Sequence, residues 1–226
     1  MKKHFSIKNF CTKEELKSVL DYYSALDYAE EQSNKRARRK NMDYHDPDIL
    51  IMRDIIEPKL KKYFPGSFVS AATFTNWIEH VEIHTDSWQP DENKNKKLGY
   101  ALLIPLKIEP EHIETSTIVF DQHLKEENSA SVAKFDEQEE WNIDKNINLD
   151  QSLMNANTDS VISREFYEKY LTHTSYTDVK NLSPTRYVWN VGDAIVWDRK
   201  LLHTSENFNK NLKSKLHMVF LINFNS

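Results

Sequence analysis

The sequence lacks the features of secreted and membrane proteins. Its 226 residues contain one cysteine, Cys11, so no disulfide can form within the chain and we expect a reducing, cytoplasmic compartment. The first residues lack the apolar run of a secretory signal, and no stretch approaches a transmembrane helix in length, so we expect no membrane partner. The net charge of -5 argues against a protein that attracts nucleic acid through its overall field.

The residues that are present predict one soluble domain. Hydrophobic residues make up 39% of the chain and charged residues 29%, which suits a soluble protein with a core. A chain of this length is most simply a single domain, residues 1–226. We interpret residues 1–66 as helical support and residues 67–226 as a β core with an insertion at about 122–184. The sequence does not specify an oligomeric state.

Two helices are predicted before residue 66. Thr12 and Glu15 form a capping-box pattern, in which each side chain bonds to the backbone N–H of the other residue. Asp46 and Pro47 are typical of the start of a second helix, which Pro58 is expected to kink or divide. Apolar residues at helical spacing follow the capping box: Leu16, Val19, Leu20, Tyr23 and Leu26.

From Ser67 onward, β-branched and aromatic runs alternate with turn residues, which predicts eight short strands. These strands are Phe68–Trp77, Glu79–His84, Gly99–Ile108, Thr115–Asp121, Thr185–Asn190, Ala194–Trp197, His203–Glu206 and Leu216–Phe224. The predicted fold class is mainly β with flanking helices. We expect a double-stranded β-helix (a cupin-like jelly roll) whose major sheet carries the N-terminal helices.

Two strongly charged segments lie outside this pattern. Lys35–Lys40 is basic at five of its six positions, and is interpreted either as a solvated loop or as a patch for an anionic substrate or nucleic acid. Glu126–Asp159 is polar and acidic and is interpreted as an insertion between strands, followed by a helix at about Ser163–His173. The polar segment Ser87–Lys97 is predicted to be a loop beside the site described next.

A candidate metal site lies at the end of the second predicted strand. Because side chains alternate along a strand, His84 and Asp86 point to the same side and are able to bind one ion together. A third ligand has to come from elsewhere, and the best candidate is His203. Two histidines and one carboxylate on one face of an ion, with the other positions open, are typical of non-haem Fe(II) oxygenases.

Other interpretations of these residues stay open. His80 and His84 have the spacing of a zinc pair on a helix, although the surrounding pattern favours a strand. The histidines are also compatible with a surface position and no metal. A metal-dependent cupin-type enzyme that uses no oxo acid, and a jelly-roll binding protein without catalysis, are further alternatives.

The ordered set His84-x-Asp86, then His203, then a basic residue opening the last strand resembles the 2-oxoglutarate/Fe(II)-dependent dioxygenase superfamily. The sequence from Trp189 to Phe208 is similar to the distal-histidine region of its phytanoyl-CoA-hydroxylase-like and prolyl-hydroxylase-like members. The resemblance covers about Ser67 to Ser226. It implies Fe(II) and 2-oxoglutarate as cofactors, O2 as co-substrate, and succinate and CO2 as co-products. The carboxylate of Asp86 favours hydroxylation, since related halogenases lack that ligand.

The resemblance also implies a cation for the distal carboxylate of 2-oxoglutarate at the start of the last strand. Lys215 is the best candidate and Lys213 the second, where the family more often uses arginine. Tyr100 and Ser205 are candidates to offer hydroxyl groups to the co-substrate. Arg199 is expected at the surface in an ion pair with Asp198.

The sequence therefore predicts an oxygenase that hydroxylates a small molecule or peptide. The catalytic and metal-binding residues are His84, Asp86 and His203. A nucleic-acid demethylase of the same superfamily is a minor alternative because of Lys35–Lys40.

Overall fold

We describe a computed structural model of the chain over residues 3–27, 36–42, 49, 51–86, 96–124 and 162–225, with the backbone of short strands at 133–135, 141–143 and 153–154. The strands are β1 His4–Ile7, β2 Ala37–Asn41, β3 Ser67–Trp77, β4 Lys97–Glu109, β5 Ser116–Leu124, β6 Ala133–Phe135, β7 Trp141–Ile143, β8 Leu153–Met154, β9 Pro184–Val188, β10 Ala194–Asp198, β11 Leu201–Ser205 and β12 Ser214–Phe224. The helices are α1 Lys13–Ala25, a π-helical turn Ile51–Ile56, α2 Glu57–Tyr63, α3 Arg164–Tyr170 and α4 Tyr176–Val179.

Six antiparallel strands form the large sheet, in the order β1-β10-β4-β12-β3-β2. Its outer face is apolar because alternate residues of its strands, such as Phe74, Ile104 and Phe220, point away from the interior. The first helix covers that face through Leu16 and Val19, which belong to the same buried cluster. Its start has the predicted capping box, since Thr12 and Glu15 accept from each other's backbone N–H groups.

The small sheet lies opposite, with β5 between β11 on one side and both β8 and β9 on the other. Its outer face packs against α3, α4 and the residues between them, in a cluster that includes Ile118, Leu202 and Leu171. Leu103, Trp189 and Trp197 belong to a third cluster, on the inner faces of the sheets. Two antiparallel sheets with helices outside form the predicted jelly roll, which is confirmed.

The predicted strand Glu79–His84 is wrong. Residues 78–83 form no ladder, and His84 makes one isolated bridge with His203. Side chains of β11 take up the backbone groups that a ladder would use. The Val81 N–H donates to Ser205 Oγ at 2.7 Å, and Thr204 Oγ1 donates to the Val81 carbonyl. Such side-chain bonds compete with regular strand pairing.

The interpretation of Lys35–Lys40 as a loop is also wrong, since residues 37–41 form the edge strand β2, paired with β3. Pro58 divides the helical segment, as predicted: the π-helical turn ends at Ile56, and α2 begins at Glu57 with Pro58 in its first turn. Most of Ser87–Lys97 and Glu126–Asp159 lies outside the described residues. Within the described part of the chain, no helix combines the length and the apolar character needed to cross a membrane.

Candidate metal centre

Backbone pairing places the two histidines side by side. The His84 N–H donates to the carbonyl of His203 at 3.0 Å, and the His203 N–H donates back at 2.9 Å. Their ring centroids are consequently 4.1 Å apart. Asp86 joins them: its Oδ1 lies 4.0 Å from His84 Nε2, and its Oδ2 lies 3.3 Å from His203 Nε2. One ligand atom from each of the three residues lies within 4.8 Å of the others.

Both imidazoles are oriented by backbone carbonyls. Nδ1 of His84 lies 2.8 Å from the carbonyl of Glu82, and Nδ1 of His203 lies 3.2 Å from the carbonyl of Leu201. A carbonyl accepts only, so each Nδ1 carries the proton and each Nε2 keeps a lone pair directed toward Asp86. Hydrogen bonds of this kind fix the tautomer and ring orientation of metal-binding histidines.

Asp86 is held by a tryptophan and a buried arginine. The Trp197 Nε1–H donates to Asp86 Oδ2 at 3.1 Å, leaving Oδ1 without that bond. The Asp86 N–H donates to the carbonyl of Arg199 at 3.0 Å, and Arg199 Nε donates to the carbonyl of Asp86 at 2.8 Å. Arg199 therefore fixes both backbone groups of the carboxylate ligand. Its side chain is 0% exposed, so the predicted surface ion pair with Asp198 is wrong.

The environment of His203 favours the form that binds a metal. Burial lowers the pKa of His203 to about 4, and the neighbouring His84 acts in the same direction against the opposing charge of Asp86. The imidazole is consequently neutral at physiological pH. Only the neutral imidazole has the lone pair that a metal ion needs.

The three residues line a cavity of about 480 Å³ between the sheets. Most of its wall is apolar or carries hydroxyl groups, including Leu103, Thr117, Trp189 and Trp197. The charged side chains on its described wall are Arg39, Asp86 and Lys215. A cavity of this size holds a small ligand.

Lys215 is buried against this cavity with only 1% of its surface exposed. Its Nζ lies 5.0 Å from the ring centre of Trp189 and 5.9 Å from that of Phe208. None of the described residues forms a hydrogen bond with that ammonium group. Burial lowers the pKa of Lys215 to about 8, against the opposing charge of Glu206. A desolvated cation of this kind is stabilised by an anion in the cavity.

The other predicted co-substrate residues divide into two groups. Ser205 lines the cavity, and its Oγ already accepts from Val81. Lys213 is exposed and Tyr100 packs against Phe64 at 5.5 Å between ring centres, so neither lines the cavity. The structure thus brings five of the seven predicted site residues together around one cavity, namely His84, Asp86, His203, Lys215 and Ser205, and places Lys213 and Tyr100 away from it.

Two cavity residues were missed as site residues by sequence reasoning. Arg39 belongs to the basic segment whose role the sequence leaves open, and His217 lies two residues beyond Lys215 on the same face of β12. Burial lowers the pKa of His217 to about 3, with Lys215 and Arg39 acting in the same direction, so this imidazole is neutral. The alternation of inward residues along β12 is the signal that would have found it.

By sequence, no family model and no curated protein matches the chain. By structure, it is similar to HygX from Streptomyces hygroscopicus with nickel and 2-oxoglutarate bound, at a TM-score of 0.57 and 12% identity, over 98% of this chain and 83% of that one. It is also similar to the non-haem alpha-ketoglutarate-dependent epimerase SnoN from nogalamycin biosynthesis, at a TM-score of 0.56 and 8% identity, over 98% of this chain and 78% of that one. A third similar structure is an oxidoreductase of the 2OG-Fe(II) oxygenase family from Burkholderia pseudomallei, at a TM-score of 0.52 and 8% identity, over 98% of this chain and 84% of that one. At these identities the likeness is one of fold.

Proposed function

We propose that this chain, which has the fold of the 2-oxoglutarate/Fe(II)-dependent oxygenases, is itself such an oxygenase and hydroxylates a small molecule or peptide. The observation that carries the proposal is the convergence of His84, Asp86 and His203 beside a buried lysine in one cavity. 2-Oxoglutarate requires a metal ion to chelate at one end and a cation for the carboxylate at its other end, and this cavity offers candidates for both.

The donor set fits Fe(II). Two neutral imidazoles and one carboxylate occupy three positions on one side of the ion and leave the others for co-substrate and O2. Trp197 donates to one carboxylate oxygen and leaves the other available as a ligand. The carbonyls of Glu82 and Leu201 hold the two Nε2 atoms in position before the ion arrives. The ligands need little reorganisation on binding.

Lys215 fits the distal carboxylate of 2-oxoglutarate. Its ammonium group is buried in the wall of the same cavity as the metal ligands, and a lysine binds a carboxylate as a point charge. The co-substrate would reach from the metal to Lys215, with hydroxyl groups such as those of Thr117 and Ser205 nearby. This lysine favours an enzyme that uses a 2-oxo acid over a cupin-type enzyme that uses none.

When bound, Fe(II) with 2-oxoglutarate and O2 supplies the oxidising power for hydroxylation, releasing succinate and CO2. The chain's own residues bind the co-substrate, orient the metal-binding groups and exclude water. Lys215 binds the co-substrate, Trp197 orients the carboxylate of Asp86, and Arg199 holds the backbone of Asp86. The apolar wall around Leu103, Trp189 and Trp197 excludes water from the site.

Metal binding and co-substrate turnover test this proposal. We expect the purified chain to bind Fe(II), and to release succinate from 2-oxoglutarate in an O2-dependent reaction. His203→Ala removes one ligand, so Fe(II) binding should weaken by at least about 100-fold, since even residues that only orient a ligand contribute about 10–100-fold. The matched control is His112→Ala, because His112 is exposed. Equal metal binding by His203→Ala and the wild type would contradict the site. Metal binding without any succinate release would leave the cupin-type alternative.

A further inference from the structure

One buried imidazole in the cavity wall makes no hydrogen bond with the described part of the chain. His217 lies on β12 with 6% of its surface exposed, and it lines the cavity that contains the metal ligands. Its Nδ1 is enclosed and has no hydrogen-bond partner among the described residues, and its Nε2 has none among them either. Buried polar groups in folded proteins are nearly always paired, so these nitrogens point to a ligand of the cavity.

The surroundings of the His217 ring decide which nitrogen carries the proton. The imidazole is neutral, so one nitrogen is a donor and the other is an acceptor. An N–H at Nδ1 would be enclosed without an acceptor, a state that folded proteins avoid. The proton therefore resides on Nε2, the ring nitrogen that is available to the cavity. His217 thus offers the cavity a hydrogen-bond donor that carries no charge.

His217 is the inward neighbour of Lys215 on β12. The two residues occupy consecutive inward rows in the regular pairing with β3, so their Cα atoms are roughly 7 Å apart. Both contact Trp189, whose ring centre lies 5.4 Å from that of His217 and 5.0 Å from Lys215 Nζ. The indole is itself fixed, because its Nε1–H donates to Thr117 Oγ1 at 2.9 Å. One fixed ring therefore positions both the ammonium group and the imidazole.

Lys215 and His217 together offer what a single arginine offers to a carboxylate. A guanidinium supplies a positive charge and two parallel N–H bonds, whereas a lysine supplies the charge at one point. A carboxylate bound by Lys215 has a second oxygen that can accept a directed hydrogen bond. The Nε2–H of His217 is a donor of this kind on the same strand.

We propose that His217 is a co-substrate-binding residue, whose Nε2–H donates to the distal carboxylate of 2-oxoglutarate while Lys215 supplies the charge. This inference rests on the proposed function and adds a specificity-determining residue to the same site. It replaces the single arginine that the family more often uses by two side chains. The pair selects an oxo acid with a distal carboxylate over one of equal length without it.

Calorimetric titration of 2-oxoglutarate into the full chain loaded with Mn(II) tests the inference. His217→Phe keeps a ring against Trp189 and removes the donor, so the Kd should rise at least about tenfold, as expected for a lost hydrogen bond to a charged group. His217→Gln supplies an N–H donor again and should recover part of the affinity. 2-Oxopentanoate has a methyl group in place of the distal carboxylate, and its Kd should stay within about twofold of wild type in His217→Phe.

Unfolding in urea, without metal or co-substrate, separates ligand binding from a structural role. Since the imidazole makes no hydrogen bond with the described fold, His217→Phe should unfold at a urea concentration no lower than that of the wild type. An imidazole needed by the fold would lower the midpoint. The matched control is His112→Phe, the same substitution at an exposed histidine, which should keep the wild-type Kd for 2-oxoglutarate.

Three outcomes overturn the inference. The first is an unchanged Kd for 2-oxoglutarate in His217→Phe, which would leave the imidazole with water as its partner. The second is an equal loss of affinity for 2-oxopentanoate, and the third is a lower midpoint in urea. Each leaves the proposed oxygenase intact, provided that the wild type binds 2-oxoglutarate and Lys215→Ala binds it more weakly. Failure of the wild type to bind 2-oxoglutarate is instead a failure of the proposed function.

Discussion

At the scale of single residues, the proposed binding of 2-oxoglutarate by Lys215 predicts a dependence on pH. Burial lowers its pKa to about 8, so the ammonium group is present below that pH and is lost above it. We expect the KM for 2-oxoglutarate to rise as pH increases through the pKa, with a smaller change in kcat. The measurement is the KM for 2-oxoglutarate between pH 7 and pH 9.5. The carboxylate of the bound co-substrate raises the pKa of Lys215, so the midpoint of the rise lies above the pKa of the free protein.

Lys215→Arg separates this effect from other titrations, because arginine stays charged throughout the range. The rise in KM should be absent in that variant. Lys213→Ala, a change at an exposed lysine, should keep the wild-type profile. An unchanged rise in Lys215→Arg would assign the pH dependence to another group.

The sequence predicted the cluster of His84, Asp86 and His203 better than the groups around it. The alternation of His84 and Asp86, with a late histidine at His203, is a pattern that can be read along the chain. Lys213 and Lys215 are also two residues apart, so alternation alone does not distinguish them. Lys213 precedes β12 and is exposed, whereas Lys215 lies within β12 and is buried. Arg39 carries no local signal, since its position depends on pairing with a strand more than thirty residues later.

At the scale of elements, the turn between β10 and β11 holds the segment that carries Asp86. The turn contains Arg199, whose side chain donates to Asp86, Ser70 and Asn223. One buried guanidinium thereby joins β3 and β12 of the large sheet to the segment that carries Asp86. This role cannot be predicted from the sequence, since an arginine next to Asp198 is equally consistent with a surface pair.

Arg199→Met should destabilise the fold and weaken metal binding together. Removing the guanidinium leaves the buried Asn223 side chain and the Asp86 carbonyl without their partner, at about 1–3 kcal/mol for each group. We expect the free energy of unfolding in urea to fall by about 3 kcal/mol. The control is Arg164→Met, because Arg164 forms an exposed pair with Glu168 that solvent screens and that contributes little to stability. A fall no larger than in the control would contradict this role.

The ends of the long strands β3, β4 and β12 were predicted to within a few residues, because apolar residues alternate strongly along them. The segment 78–83 was mistaken for a strand since its composition is strand-like. Its backbone bonds go instead to the side chains of Thr204 and Ser205. A single sequence does not reveal which side-chain hydroxyl groups will take the place of a partner strand's backbone hydrogen bonds.

At the scale of the whole molecule, His4 joins the two sheets. It lies on β1 at the edge of the large sheet, and its Nε2 donates to Asp121 Oδ1 of β5 at 2.9 Å. The Tyr187 hydroxyl of β9 donates to its Nδ1 at 2.6 Å. The sequence predicts the layers from their helices and strands, but it does not predict this contact, which joins residues more than a hundred positions apart.

A double-mutant cycle measures the coupling between the sheets. We expect His4→Phe and Tyr187→Phe each to lower the free energy of unfolding by about 1 kcal/mol, the net contribution of one hydrogen bond. The double variant should lose less than the sum of the two, because both changes remove the same bond. Chemical denaturation provides all four values. Strict additivity would show that the contact does not stabilise the protein.

The edge position of β2 separates it from the cluster of His84, Asp86 and His203. That cluster lies on β11 and the segment bonded to it, whereas Arg39 lies on β2, which pairs with β3 among the described strands. The backbone bonds that hold the cluster come from β11 and the turn before it, so a substitution in β2 leaves those bonds in place. Selection can therefore alter this strand, and with it one wall of the cavity, without disturbing the three side chains that are proposed to bind the metal.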